Sequence, residues 1–295
     1  MAERQNDNEQ IRGNWLDRWL TLPQYLLPQH ILSVMMHRLT RSEVRWFKNL
    51  FIRFICWWYK VDLNEAATSD LQAYPSFNAF FTRALRTGIR PVADGDDVVV
   101  SPVDGTISQL GAITDGRIIQ AKGQDYSVEE LLGGDSKLAE AFHGGQFATI
   151  YLSPKDYHRI HMPLAGHLTS MRYVPGKLFS VNPRTTRAVP RLFARNERVV
   201  TVFETEYGPL IQVLVGAIFV GSMEAVWAGQ ITPPYGDQIR DWHYSGEQAV
   251  HLNKGVEMGR FNMGSTVIVL LPPGIRAFQP HWQAGDQIRL GQAMN

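Results

Sequence analysis

Two clusters in the 295-residue sequence combine residue types that could exchange protons. Residues 101–106 read Ser-Pro-Val-Asp-Gly-Thr, where proline and glycine favour a turn that would present the carboxylate of Asp104. Residues 153–163 contain His158 and His161, and imidazole exchanges protons near neutral pH. Histidines three residues apart in a loop or turn could reach one site. The pattern therefore indicates acid–base chemistry, although an Asp-Gly turn is also common in proteins without a catalytic role.

A third cluster, residues 260–271, places Gly264-Ser265-Thr266 directly before an apolar run. A tight turn at the start of a strand is one interpretation. The other is chemical, because a serine hydroxyl can attack the carbonyl that precedes it, and glycine leaves that peptide least hindered. The sequence around Ser265 lacks the Gly-x-Ser-x-Gly elbow, which disfavours an ordinary serine hydrolase.

Metal and disulfide sites are not predicted. The histidine pair could bind a metal with Asp104, His143 or His167, but no spacing among these residues forms a recognised zinc pattern. The single cysteine, Cys56, excludes a disulfide within the chain and any site built from several cysteines.

The elements that position these clusters change character along the chain. Residues 15–60 are predicted to be helical, with breaks at Pro23 and Pro28 and with Ser42 as an N-cap. A further helix is predicted from Ser76, because residues 77, 80, 81, 84 and 85 form an apolar stripe. Short β-branched runs then predict strands at residues 98–100, 149–152, 199–203, 211–220 and 266–271.

No helix of 10–15 residues alternates with these strands, so a doubly wound parallel sheet is disfavoured. The predicted fold class is α+β. An N-terminal helical, membrane-associating layer (residues 1–90) precedes a largely antiparallel, barrel-like, β-rich catalytic domain (residues 91–295), with the join near residues 88–96.

Charge and aromatic residues are concentrated in one segment. The chain carries 29 basic and 28 acidic residues, too balanced for a nucleic-acid partner, yet residues 30–60 carry a net charge of +5. Residues 46–59 hold seven of the 32 aromatic residues but are too short, and too interrupted by Lys48 and Arg53, to span a bilayer. A helix in the membrane interface is favoured, and a helix docked on its own domain or on a second subunit is the alternative. The polar residues 1–7 show no secretory or transit signal.

Taken together, the clusters resemble the bacterial, pyruvoyl-dependent phosphatidylserine decarboxylases. The family residue before Gly-Ser-Thr is leucine; Met263 stands there in this chain, an apolar residue of similar volume. The resemblance covers roughly residues 75–273, in the family's order, through segments 77–83, 101–106, 152–163, 192–199, 215–222, 226–229 and 254–266.

The resemblance implies a self-cleaving enzyme. Ser265 would attack the carbonyl of Gly264, and the chain would part into a heterodimer of fragments 1–264 and 265–295, with a dimer of these heterodimers left open. Residue 265 would become a pyruvoyl cofactor, which forms a Schiff base with phosphatidylserine, releases CO2 and yields phosphatidylethanolamine. By the same resemblance, Asp104 and His161 complete the self-cleavage triad with Ser265, and His158 donates a proton during decarboxylation.

The resemblance also implies a peripheral protein on anionic lipid at the cytoplasmic face of the bacterial inner membrane. A non-enzymatic carrier module of the biotinyl or lipoyl kind is the alternative, because residues 101–106 also resemble a strand opening of such modules. Those modules carry a modified lysine in a hairpin, and this sequence has neither Met-Lys-Met nor Asp-Lys-Ala.

Overall fold

Residues 15–59 form a layer of four helices. A computed structural model describes residues 15–219 and 222–295, so the polar segment 1–7 and its predicted lack of a signal lie outside the described residues. The helices are α1 (Trp15–Thr21), α2 (Pro23–Leu26), α3 (Gln29–Thr40) and α4 (Arg45–Tyr59). Helical breaks lie at Pro23 and Pro28, as predicted, because proline lacks the N–H that would continue a helix.

Two details of the helical prediction are wrong. The N-cap of α4 is Val44 rather than Ser42, and no side chain caps the helix there. Helix α5 (Phe77–Phe81) does begin after Ser76, whose Oγ accepts a hydrogen bond from the backbone N–H of Ala79 at 3.2 Å. It ends at Phe81, however, so the predicted stripe does not continue as helix through residues 84 and 85.

All paired strands among the described residues run antiparallel, in two sheets and a separate hairpin. The strands are β1 Gly105–Ala112, β2 Arg117–Ala121, β3 Gln124–Ser127, β4 Gln146–Tyr151, β5 Arg159–His161, β6 Gly166–Val174, β7 Arg198–Thr205, β8 Gly208–Val215, β9 Met223–Ala225, β10 Gly229–Gln230, β11 Arg240–His243, β12 Val250–Leu252, β13 Glu257–Phe261, β14 Thr266–Leu271 and β15 Gln287–Ile288. The large sheet has the order β11-β6-β7-β8-β14-β4-β1-β15, with β12 also paired to β6. The small sheet has the order β10-β9-β13-β5, and β2 pairs with β3. Within the described residues the end strands β11 and β15 do not pair with each other. The largely antiparallel fold is therefore confirmed, and closure into a barrel is not.

Strand β14 has the predicted bounds, whereas β8 ends at Val215 instead of reaching residue 220. The predicted strand at 98–100 is absent, and Val100 makes only an isolated bridge to Ala293.

Strand β14 lies at the centre of the large sheet and is buried on both faces. Val267 and Val269 belong to one apolar cluster, while Ile268 and Leu270 belong to another, as the alternation of side chains along a strand requires. Three short helices contribute side chains to the second cluster: α6 (Val128–Leu131), α7 (Ser136–Glu140) and α9 (Leu192–Arg195). A fourth, α8 (Pro183–Ala188), ends directly before Val189, another member of that cluster. The residue that precedes β14, Ser265, is thus fixed by the most buried strand of the fold.

The helical layer presents apolar side chains to its surroundings. Trp46 and Trp57 are each 72% exposed on α4, and Leu26 is 89% exposed on α2. The other face of α4 packs against the body, where Phe51 stacks on Phe77 with ring centroids 4.2 Å apart. No helix in the described ranges is both long enough and apolar enough to cross a bilayer.

Candidate active site

The Gly264-Ser265 peptide lies in a fully enclosed position at the start of β14. Ser265 has no exposed surface, and its Oγ donates a hydrogen bond to the carbonyl oxygen of Val215 at the end of β8. On the other side, the backbone N–H of Leu152, which follows β4, donates to the carbonyl of Ser265 at 2.8 Å. The strands that flank β14 therefore hold both the hydroxyl and the backbone of Ser265.

His158 lies directly against this peptide. A Cβ atom placed on Gly264 would come within 2.6 Å of His158 Nε2 and 3.2 Å of the carbonyl oxygen of Leu152. Any residue other than glycine would collide with the imidazole. The close approach explains why the predicted scissile bond begins at a glycine.

We expect the substitution Gly264→Ala to impair cleavage at this peptide, because the backbone of Leu152 cannot yield and His158 is fully buried. The cleaved fraction, followed on a denaturing gel, should fall well below that of the natural chain. Adding His158→Ala removes the nearer obstacle and should restore part of the cleavage. Unhindered cleavage of the Gly264→Ala protein would show that the close approach has no consequence.

The environment of His158 determines which of its ring nitrogens can act. Nδ1 lies 2.8 Å from the carbonyl oxygen of Asp156, which only accepts, so we assign the proton to Nδ1. Nε2 then carries a free lone pair, and it is buried without a hydrogen-bond partner among the described residues. Complete burial, with the nearby charge of Arg83 as a second cause, lowers the pKa of His158 to about 3. At neutral pH the group facing Gly264 is a neutral base.

The loop that carries His158 is braced on two sides. Both the backbone N–H and the hydroxyl of Ser153 donate to Asp156 Oδ2 at 2.7 Å, which closes a tight turn. Arg83 donates to the carbonyl of Lys155 at 3.0 Å, and the ring of Phe81 packs on His158 at a centroid distance of 3.9 Å. Helix α5 and the residues after it therefore position the imidazole.

The imidazole of His161 makes its hydrogen bonds with groups other than Ser265. It ends β5, and its Nδ1 lies 2.8 Å from the carbonyl oxygen of Gly255, while its Nε2 lies 3.1 Å from the hydroxyl of Tyr157. Both ring nitrogens are thus engaged. Burial lowers the pKa of His161, so this imidazole is also neutral at pH 7.

Asp104 is bound by an arginine rather than by a histidine. Arg90 donates to both carboxylate oxygens, at 3.0 Å from Nε and 2.6 Å from a terminal nitrogen, and the backbone N–H of Leu290 adds a bond of 2.8 Å. Arg90 also binds Glu65 at 2.5 Å. No hydrogen bond joins Asp104 to His161 in the described residues. The structure therefore brings Gly264, Ser265 and His158 together and leaves Asp104 and His161 with other partners.

Replacing Arg90 by methionine should lower the free energy of unfolding by about 3–5 kcal/mol, because Asp104 would remain buried without its cation. The matched control is Arg117→Met, which breaks an exposed pair with Asp125 and should cost about 1 kcal/mol or less. Urea denaturation of both variants measures the difference. Equal losses would contradict a structural role for the buried pair.

The helical layer reaches the predicted cleavage site. Met263 packs on the cluster formed by the buried side chains of Ile52, Phe77 and Phe81. A narrow cavity beside it is lined by residues of α3, including His37, by Arg41 directly after that helix, and by Phe219, Ser222, Asn262 and Met263. An exposed apolar layer and the Gly264-Ser265 peptide are therefore neighbours.

Several of these residues were not identified from the sequence. Arg90 stands in the predicted join between domains, and nothing in its spacing marks it as a partner of Asp104. Arg83 and Tyr157 lie within segments that carry the family resemblance, which is the only signal that could have selected them. The possible metal ligands His143 and His167 contribute to no metal cluster: the described residues hold no group of three or more histidine, cysteine or acidic residues suited to an ion.

Comparisons with known proteins agree on one family. The family model described as phosphatidylserine decarboxylase matches residues 77–294, and a second, described as PSD, matches residues 19–60. The chain belongs to the phosphatidylserine decarboxylase family.

Curated relatives are similar over almost the whole chain. A phosphatidylserine decarboxylase proenzyme of Nitrosococcus oceani is 59% identical over 281 residues, covering 95% of this chain and 91% of the relative. Proenzymes of the same name from Pseudomonas fluorescens and Marinobacter nauticus are 54% and 53% identical over 279 residues, covering 94% of this chain and 96% and 97% of the relatives. Family membership over this length displaces the carrier-module alternative.

Proposed function

We propose that this protein decarboxylates phosphatidylserine to phosphatidylethanolamine after cleaving its own chain between Gly264 and Ser265. The observation that carries the proposal is the buried Gly264-Ser265 peptide with a free imidazole nitrogen of His158 against it. The relatives are named proenzymes, which supports an inactive precursor that is processed.

The proposed cleavage uses only atoms of the chain. Ser265 Oγ loses its proton to a base and attacks the carbonyl carbon of Gly264, so that the amide becomes an ester. Loss of the proton on Cα of Ser265 then breaks the Cβ–Oγ bond, and Gly264 leaves as a carboxylate. Water replaces the amino group of the dehydrated residue 265, which releases ammonia and leaves a pyruvoyl group at the start of the 265–295 fragment.

We assign His161 as the base of this maturation, oriented by Asp104. Since Tyr157 and Gly255 engage both nitrogens of His161, and Arg90 engages Asp104, this assignment requires an exchange of partners before the attack. A carboxylate behind an imidazole stabilises the imidazolium that forms, which is the physical reason for pairing the two groups. His158, already placed against Gly264, is the competing base, and the experiment on this pair is given in the Discussion.

The surroundings of Ser265 fit a pyruvoyl group at this position. The backbone of Leu152 and the carbonyl of Val215 hold residue 265 from either side, and the unpartnered Nε2 of His158 gives the site a group that can move a proton. A pyruvoyl group supplies a ketone that can condense with an amine and accept the electron pair left when CO2 departs. We propose that His158 Nε2 takes a proton from the substrate's ammonium group and later returns a proton to the carbon that has lost CO2.

We further propose that residues 1–90 hold the β-rich domain of residues 91–295 on a membrane. The protein would be peripheral, on anionic lipid at the cytoplasmic face of the bacterial inner membrane, as a heterodimer of its own two fragments. The exposed tryptophans of α4 and the packing of Met263 against the helical layer support this arrangement, because an interfacial helix would bring lipid headgroups beside the Gly264-Ser265 peptide.

Substituting both Trp46 and Trp57 by serine should weaken binding to anionic vesicles about tenfold or more, since each ring would otherwise enter the interface. Self-cleavage should be unchanged, because neither side chain packs in the core. Tyr207→Ser, at an exposed β7–β8 turn, is the control and should bind vesicles normally. Vesicle sedimentation combined with a gel measures both properties. Normal sedimentation of the double variant would exclude α4 as the anchor.

Intact-mass analysis of the purified protein tests the proposed function directly. It should show a chain of 264 residues and one of 31, the latter with the mass of a pyruvoyl terminus rather than of a serine terminus. Incubation with phosphatidylserine should release CO2. An uncleaved chain that decarboxylates phosphatidylserine would overturn the proposal.

A further inference from the structure

A second groove lies between the helical layer and the β-rich body, apart from the Gly264-Ser265 peptide. It has a cavity volume of about 310 Å³ and is formed by α2 and α3 on one side and by the segments before α8 and around α9 on the other. That volume falls within the range of about 300–1,000 Å³ typical of ligand pockets. None of its lining residues belongs to the proposed catalytic site.

One wall of the groove carries two cations without an acidic partner. Lys177 and Arg195 both line it, and neither makes a side-chain ion pair or hydrogen bond with any described residue. The guanidinium group of Arg195 is held over the rings of Phe179 and Tyr25, at 5.1 and 5.8 Å from their centroids. The stacking holds the guanidinium group of Arg195 in a fixed orientation. Less side-chain conformational entropy is therefore lost when the group binds an anion.

The carboxyl group of Glu197, at the edge of the groove, does not cancel this charge. Glu197 Oε2 lies 4.0 Å from His30 Nε2, at the edge of the groove, but burial raises the pKa of Glu197 to about 8. The carboxyl group is therefore mainly protonated at neutral pH. Burial and the charge of Lys177 lower the pKa of His30, so His30 offers a neutral hydrogen-bonding group beside the two cations.

The opposite wall is apolar and continues onto the exposed surface of the helical layer. Leu27 and Ile31 line the groove and are 42% and 63% exposed, and Leu26 beside them is 89% exposed. Cations on one wall with aliphatic side chains on the other match a molecule that has an anionic head and an apolar tail. A free anion would leave the apolar wall without a function.

We infer that this groove binds one anionic phospholipid of the bilayer, with the phosphodiester at Lys177 and Arg195 and the first carbons of the acyl chains along Leu27 and Ile31. The site is additional to the proposed decarboxylation site. The helical layer then contacts lipid in two ways: its tryptophans enter the membrane interface, and the groove binds one phospholipid molecule.

Calorimetric titration with monomeric dihexanoyl phosphatidylglycerol tests this inference. The protein is the Ser265→Ala variant, so that binding is measured whether or not the chain can process itself. We expect a saturable site that is lost, or weakened about tenfold or more, in the Lys177→Gln/Arg195→Gln variant, because two charge-assisted contacts to the phosphodiester disappear. Dihexanoyl phosphatidylcholine and inorganic phosphate should each bind much more weakly.

The control is Arg38→Gln/Arg53→Gln, which removes two exposed charges from the same helical layer but outside the groove. Its affinity for the short phosphatidylglycerol should change less than twofold. Equal weakening of both double variants would indicate diffuse surface charge and overturn the inference, as would an absent site or equal affinity for phosphate alone. If the double variant folds poorly, the single variant Lys177→Gln, which changes an exposed side chain, replaces it and should also bind the short phosphatidylglycerol more weakly.

Discussion

The Ser265→Ala protein should run as a single chain of 295 residues and release no CO2 from phosphatidylserine. The buried hydroxyl of Ser265 belongs to the residue that directly follows the Gly264 carbonyl, and without this hydroxyl the amide cannot become an ester. Cleavage and decarboxylation should both fall below detection. Intact mass and release of labelled CO2 measure the two losses in one preparation.

Loss of a buried hydroxyl from the same sheet is the matched control for that result. Thr149 lies on β4, beside β14, and its Oγ1 is buried without a partner in the described part of the chain. Thr149→Val should cleave and decarboxylate normally. A processed or active Ser265→Ala protein would remove the basis of the proposed function.

The His158→Ala protein should cleave itself yet decarboxylate about 10²–10⁴-fold more slowly, the usual contribution of a positioned acid–base group. Its imidazole packs on the Gly264-Ser265 peptide and holds no partner at Nε2, which suits proton transfer at residue 265. His161→Ala should show the opposite pattern and remain uncleaved. The cleaved fraction on a gel and the rate of CO2 release from the cleaved fraction separate the two roles.

The exposed histidine His167, on β6, provides the control, and His167→Ala should behave as the natural protein does. An uncleaved His158→Ala protein, together with a cleaved His161→Ala protein, would reverse the assignment and make His158 the maturation base. That outcome would agree with the distances, since Nε2 of His158 already faces the peptide while His161 is bonded to Gly255 and Tyr157.

The local patterns that predicted strand β14 and the breaks at Pro23 and Pro28 were sufficient because their causes are local. A β-branched apolar run favours a strand, and proline cannot donate the hydrogen bond that continues a helix. The predicted strand at residues 98–100 failed for a different reason. A strand exists only where a neighbour pairs with it along its length, and here Val100 finds only a single bridge partner, Ala293.

At the site, the histidine pair also shows what a local pattern predicts and what only the fold decides. The sequence identified His158 and His161 as close neighbours that could share one site. In the structure His158 directly precedes the extended strand β5 and pairs with Phe261, and His161 ends that strand; side chains an odd number of residues apart in an extended chain point to opposite sides. His158 therefore contacts Gly264, while His161 contacts Gly255, although only two residues separate them.

The sequence by itself determined the family, the order of the motifs, the Gly-Ser-Thr triplet and the amphipathic, basic character of residues 30–60. Each of these depends on residue types and short spacings. The tertiary structure decided which groups meet: Arg90 rather than His161 on Asp104, His158 on Gly264, and Met263 under the helical layer. These contacts join residues far apart in the chain, so they follow from how strands pair and helices pack, which no local pattern specifies.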